Sequence, residues 1–118
     1  MGKWVFESTD SFTKDYASYE KKRPNELRAV MLNLETLLEV LDVSNGPAKV
    51  SCSFFKSEGK GLFRISESGG GRNLQPTRLY ITFELKEQRL ILLRIFPKGA
   101  PKKQSEQISA LQKQISKR

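Results

Sequence analysis

RLILLRIFPKG, residues 89–99, is apolar at Leu90, Ile91, Leu92, Leu93, Ile95 and Phe96, the composition of a buried strand. Arg94 nevertheless stands inside it, and Lys98 follows directly. A guanidinium is expensive to bury unless it is paired. One face of this strand must therefore meet something that accepts positive charge, either solvent at an exposed strand end or a phosphate.

The preceding segments supply a sheet for it. TRLYITFEL, residues 77–85, alternates cleanly, and KEQ joins it to residues 89–96 as a hairpin. Its odd positions, Leu79, Ile81, Phe83 and Leu85, form an apolar face, which leaves Arg78, Tyr80, Thr82 and Glu84 on the other. GLFRI, residues 61–65, places Phe63 and Ile65 with the core and turns Arg64 outward, as it does Ser66 beyond it. Keeping the same period, residues 89–96 assign Ile91, Leu93 and Ile95 to the core and Leu90, Leu92, Arg94 and Phe96 to the open side. KVSCSFF, residues 49–55, reads as a further strand, with SEGKG between it and GLFRI. SESGGGRNLQP, residues 66–76, is a loop by composition. Its Gly69–Gly71 run before Arg72 matches no nucleotide-binding fingerprint and reads as a flexible connection.

The N-terminal part is helical. KWVFE, residues 3–7, reads as a first strand. Ser8, Thr9, Asp10 and Ser11 are all acceptable N-caps, and Phe12, Tyr16 and Tyr19 then form one stripe of an amphipathic helix. Pro24 begins a second helix. Leu27, Val30, Met31, Leu34, Leu37, Leu38 and Leu41 sustain its 3.6-residue period until SNGP, residues 44–47. The short connection makes the two an antiparallel hairpin. Residues 104–117 hold Ile108, Leu111 and Ile115 at helical spacing in a polar background, a marginal helix in need of a docking surface. The predicted class is α+β: a small antiparallel sheet of three to five strands packed on an N-terminal helical hairpin. Residues 1–103 form one domain and 104–118 a C-terminal helix or tail.

Composition narrows the chemistry. The 118 residues contain no histidine and one cysteine, Cys52. Zinc sites built on Cys and His are excluded, as is the usual general base near neutral pH. Cys52 has no histidine to activate it and reads as a packing residue. No run approaches the length of a membrane span and the N-terminus has no secretory pattern, so a cytoplasmic location is expected. The net charge of +8 is uneven: −2 over residues 1–43, +3 over 44–85 and +7 over 86–118. A basic half joined to a mildly acidic one suits a polyanion-binding surface on one side of a domain. Arg64, Arg78 and Arg94 fall on the same predicted sheet face, with Tyr80 and Phe96 among them and Lys98, Lys102 and Lys103 at the rim. Arginine forks match phosphate oxygens and aromatic rings stack on bases, so single-stranded nucleic acid is the predicted ligand. The alternative is a solvated face laced with ion pairs such as Arg78 to Glu84.

The order β-α-α-β-β-β, with FESTDSFTKDY leading into the helical hairpin, GKGLFRIS, TRLYITFE and LILLRIFPKG, resembles the RelE/ParE family of bacterial type II toxins and its HigB-like members. The resemblance covers most of residues 3–103. It implies a small sheet on a helical hairpin, a cognate antitoxin as partner, and either mRNA cleavage on the ribosome or, in the ParE branch, inhibition of DNA gyrase. TRLYITF resembles the strand whose arginine contacts the scissile phosphate, which gives that role to Arg78. GLFRIS resembles the preceding strand and points to Arg64, and RIFPKG places Lys98 beside the site. The resemblance implies a metal-independent endoribonuclease needing no cofactor. In such a reaction a lysine among other cations loses its proton more readily, which makes Lys98 a candidate base, with Glu67 a second. The chain departs from the family by having neither Tyr nor His after Phe96, and Thr77 where an aromatic usually precedes the arginine. A gyrase inhibitor and a non-catalytic nucleic-acid-binding protein are the alternatives.

Overall fold

A computed structural model describes residues 4–43, 46–47, 50–67 and 74–118. Their elements run β1 (Val5–Ser8), α1 (Asp10–Lys22), α2 (Pro24–Val43), β2 (Phe55–Gly59), β3 (Leu62–Glu67), β4 (Thr77–Glu84), β5 (Arg89–Pro97) and α3 (Pro101–Ser116). The strands form one mixed sheet in the order β1-β5-β4-β3-β2. β2 to β5 pair antiparallel, while β1 lies parallel to β5. The architecture is the predicted α+β sheet on a helical hairpin, but the parallel β1–β5 pair makes the sheet mixed where an antiparallel one was expected. The triple glycine and Arg72, in the segment 66–76 read from sequence as a loop, lie outside the described residues, and Ser66 and Glu67 of that segment belong to β3.

The helical hairpin forms for the reasons legible in its pattern. Among the four acceptable caps the chain uses Thr9, whose hydroxyl accepts the Phe12 N–H at 3.1 Å. Phe12 and Tyr19 are buried, with Tyr16 half-buried between them. Arg23 ends α1, and Pro24 opens α2, where its missing N–H costs nothing. Leu27, Val30, Leu34, Leu37 and Leu41 then pack on one face of the sheet against Ile65, Leu79, Ile81, Leu90, Leu92 and Ile95.

Three further expectations change. The strand predicted at 49–55 begins only at Phe55 and continues to Gly59, into the segment SEGKG (57–61) read as its turn. The reversal is confined to the last two residues of that segment, Lys60 and Gly61, both at positive φ (57° and 84°), between the paired residues Gly59 and Leu62. Two successive left-handed residues make the tight turn whose twist matches the strands. Leu85, expected in the core, sits past the end of β4 and is 63% exposed. The third change is the phase of β5. Leu90 and Leu92 join the core on the hairpin side, whereas Ile91 and Leu93 point the opposite way. A bulge causes this: Tyr80 pairs with Arg94 and Ile81 with Leu92, leaving Leu93 as the extra residue. Beyond it Ile95 returns to the hairpin side and Arg94 shares the face of Tyr80.

The second face of the sheet is covered too, by α3. Leu111 is buried and Ile108 and Ile115 half-buried against Leu62, Tyr80, Ile91 and Leu93. The marginal helix of the sequence thus finds its docking surface on the side expected to be open. Among the described residues no helix is long and apolar enough to cross a membrane.

Leu111 fills the centre of this second core. Leu111→Ala is expected to lower stability by about 3 kcal/mol, measured by denaturant unfolding. Thr9→Val removes the α1 cap and is expected to cost about 1–2 kcal/mol in the same assay.

Candidate nucleic-acid interface

Strand register fixes which charged side chains become neighbours. Across the α3-side face, Lys56, Arg64, Tyr80 and Arg94 form one row, each the Cα partner of the next. Ser66, Arg78 and Phe96 form the adjacent row. Residues directly opposite on antiparallel strands project from the same face, so Arg64, Arg78 and Arg94 share it with Tyr80 and Phe96. The bulge puts Arg94, rather than a residue of unbroken alternation, in line with Tyr80.

Each group meets a different environment. Tyr80 is 1% exposed, covered by α3 and edge-on to the Phe96 ring at 5.9 Å. It does not lie on an open face, because β4's second side is roofed by Leu111. Arg64 is held by Glu58 at 2.8 Å, with its Nε buried and unpartnered. Arg94 is paired on its Nε and Nη2 edge with Asp15 of α1, at 2.6 and 3.1 Å, and its guanidinium carbon lies 4.5 Å from the Phe96 ring centroid. Arg78 makes no ion pair among the described residues; its Nη1 donates a long 3.3 Å hydrogen bond to Gln104 of α3. The Arg78–Glu84 pairing weighed from sequence does not form, since Glu84 caps the β4–β5 turn by accepting the Lys86 and Glu87 N–H groups at 3.0 Å.

The cations left available gather at one end of the sheet. Thr77 of β4 pairs with Pro97 of β5, and the Lys98 N–H reaches the Pro76 carbonyl at 2.9 Å, so Lys98 leaves the sheet beside the start of β4. Lys98, Lys102 and Lys103 are all exposed, the last two in the first turn of α3. That turn has no acidic residue and no side-chain cap, so its N–H groups add to the positive field. Arg78, Phe96 and Arg94 border the same end. Glu67 is the last residue of β3 and the Cα partner of Thr77, on the opposite phase from Arg78.

α3 is attached differently along its length. Its C-terminal half packs Leu111 and Ile115, and Gln112 donates to the Glu58 and Gly59 carbonyls at 3.0 and 3.2 Å. Arg118 pairs with Glu7 of β1 at 2.6 Å. Nearer its N-terminus, Gln104 Nε2 is buried without a partner, as are Tyr80 Oη and Arg64 Nε on the sheet. On the hairpin side, burial pushes the Tyr19 hydroxyl pKa up, while the Gln75 N–H holds Glu26 below the ordinary carboxylate value.

Two residues of the site were missed in sequence. Gln104 carried no signal. Asp15 carried one: it lies three residues after Phe12 and four before Tyr19, a lone carboxylate in the buried stripe of α1. It is the counterpart of Arg94, the arginine inside the apolar run of β5.

Solved structures similar to the chain include two RelE toxins. One is the toxin–antitoxin complex RelBE2 from Mycobacterium tuberculosis, 15% identical with a TM-score of 0.53, covering 82% of this chain and 100% of that one. The other is the isolated RelE toxin of E. coli, 14% identical with a TM-score of 0.52, covering 92% of this chain and 98% of that one. No protein-family model and no curated protein sequence matches it. The chain has the RelE-like toxin fold.

Tyr80→Phe deletes a buried hydroxyl without a partner. It is expected to leave stability unchanged or raise it by up to about 1 kcal/mol, read from denaturant unfolding. The Arg118 hydrogen bond holds the Glu7 carboxyl below its ordinary 4.5. A depressed carboxylate pKa means that the Glu7–Arg118 pair contributes fully above pH 4.5 and is lost as pH falls through the lowered value. Amide resonances of residues 115–118 should therefore shift on acidification below 4.5, and Glu7→Gln should abolish that response.

Proposed function

We propose that this protein is the toxin of a type II toxin–antitoxin pair, a metal-independent endoribonuclease that cuts mRNA on translating ribosomes in the cytoplasm. The observation that carries this reading is the cluster of Arg78, Arg94, Phe96 and Lys98 at one end of a RelE-like sheet, continued by Lys102 and Lys103. Arg78 is the arginine of the cluster with no counter-ion among the described residues, which leaves its fork for a phosphate.

In this chemistry the RNA 2′-oxygen forms a bond to the adjacent phosphorus as the bond from phosphorus to the 5′-oxygen breaks. A base takes the 2′-hydroxyl proton and an acid supplies one to the leaving oxygen. Arg78 and Arg64 neutralise the non-bridging oxygens, Arg94 adds field, and Lys98 serves as base; Glu67, the second candidate from sequence, projects from the face opposite Arg78 and takes no part. Phe96 offers a ring edge for a base, with Lys102 and Lys103 on the flanking backbone. Tyr80 contributes from beneath α3, as support for Phe96. The ribosome supplies much of the orientation, so a sparse acid–base set is compatible with cleavage. A cognate antitoxin covers this surface with acidic and apolar groups; one similar structure is itself a toxin–antitoxin complex.

The absence of histidine, and of tyrosine after Phe96, favours a second reading in which the protein inhibits a target such as DNA gyrase by binding alone. Induction of the chain in a bacterial host separates the two. Growth arrest with rapid mRNA fragmentation, relieved by Arg78→Ala by at least about tenfold in viable count, is the expected result. Arrest with intact mRNA and an induced DNA-damage response would replace it with the second reading, and innocuous expression would remove both.

A further inference from the structure

Asp15 lies on the helical hairpin, on no element expected to meet nucleic acid, yet it is the residue most closely engaged with Arg94. Its Oδ2 accepts from Arg94 Nε at 2.6 Å and from the Ile95 N–H at 2.9 Å, and its Oδ1 accepts from Arg94 Nη2 at 3.1 Å. Asp15 is 16% exposed and Arg94 34%. The guanidinium is thus tied along one edge and backed by the Phe96 ring on a flat face. Of its five N–H donors, two go to Asp15. Of the remaining three, one on Nη1 and one on Nη2 run parallel and form a second planar fork of the kind that takes two phosphate oxygens.

We propose that Asp15 is a positioning residue for single-stranded RNA binding, acting through Arg94: it clamps one edge of the guanidinium so that the other is held ready for a phosphodiester. This rests on the RNA-binding reading above. A long side chain otherwise loses rotameric freedom when it binds, and the clamp removes that cost beforehand. The position also links the hairpin to the interface, since the same carboxylate holds the backbone just beyond the β5 bulge.

The sign of one substitution distinguishes positioning from simple electrostatics. Asp15→Asn keeps an oxygen for the Ile95 N–H and raises the net charge by one. Electrostatics alone would then tighten RNA binding and steepen its salt dependence. Positioning requires the reverse: affinity for a short single-stranded RNA about fivefold weaker, and a slope of log K against log salt shallower by about 0.7, one phosphate contact. In an Arg94→Ala background, Asp15→Asn should have no further effect. Tighter binding, an unchanged slope, or an equal loss in the Arg94→Ala background would overturn the proposal and leave Asp15 a purely structural tie. Should Asp15→Asn fail to fold, Arg94→Lys keeps the charge without the fork; it should bind about as weakly, and wild-type binding by that variant would overturn the proposal. If the wild-type protein does not bind RNA, or if Arg78→Ala binds it equally well, the RNA reading fails and this one with it. Failure confined to the Asp15 variants leaves the RNA reading standing.

Discussion

The bulge at Leu93 in β5, and the way α1 accommodates it, is the constraint on which the rest of the molecule depends. β5 is apolar on both faces, so both faces must be covered. Adding one residue opposite the Tyr80–Ile81 step lets Leu90 and Leu92 face the hairpin, Ile91 and Leu93 face α3, and Ile95 return to the hairpin. A bulge also disturbs the backbone ladder. α1 answers it from both sides: Thr9 donates its N–H to the Leu92 carbonyl and its hydroxyl to those of Leu92 and Leu93, while Asp15 accepts the Ile95 N–H. The cap of α1 and the phase of β5 are therefore one structural decision.

Arg94 reaches the row of Tyr80 and Arg64 because the strand has shifted phase, and it is tolerated there because Asp15 neutralises it. The neighbouring row ends in Arg78 and Phe96 at the edge of α3, where the uncapped helix start and three lysines gather. The two halves of α3 rest on different physics. Apolar burial and two carbonyl acceptors hold the C-terminal half, whereas the N-terminal half meets the sheet through the Arg78–Gln104 hydrogen bond.

Much of the architecture was legible because it rests on local periodicity. The Leu27–Leu41 stripe, Pro24 at a helix start and the alternation of residues 77–84 each admit one reading. The strand at Phe55–Gly59 was displaced in the sequence reading because its polar middle, Lys56–Glu58, looks like a turn; it is an edge strand, and edge strands tolerate charge. The interface was half legible. Alternation alone put Arg64, Arg78, Tyr80, Arg94 and Phe96 on one face. It also called that face open, because α3 has too few apolar residues to announce a second core.

What the sequence determined by itself is whatever depends on neighbours along the chain: helix caps, amphipathic stripes, alternation, and the excess of positive charge after residue 85. The tertiary structure alone decided what depends on pairing across the chain. A bulge leaves no mark in a strand apolar on both sides, since either phase buries leucine or isoleucine equally well. Only the partner strand, Thr9 and Asp15 select it. The pairing of Arg94 with Asp15 spans 79 residues, so no local rule joins them. Each appears in the sequence as an isolated charge in an apolar stripe, and the fold supplies the reason for both.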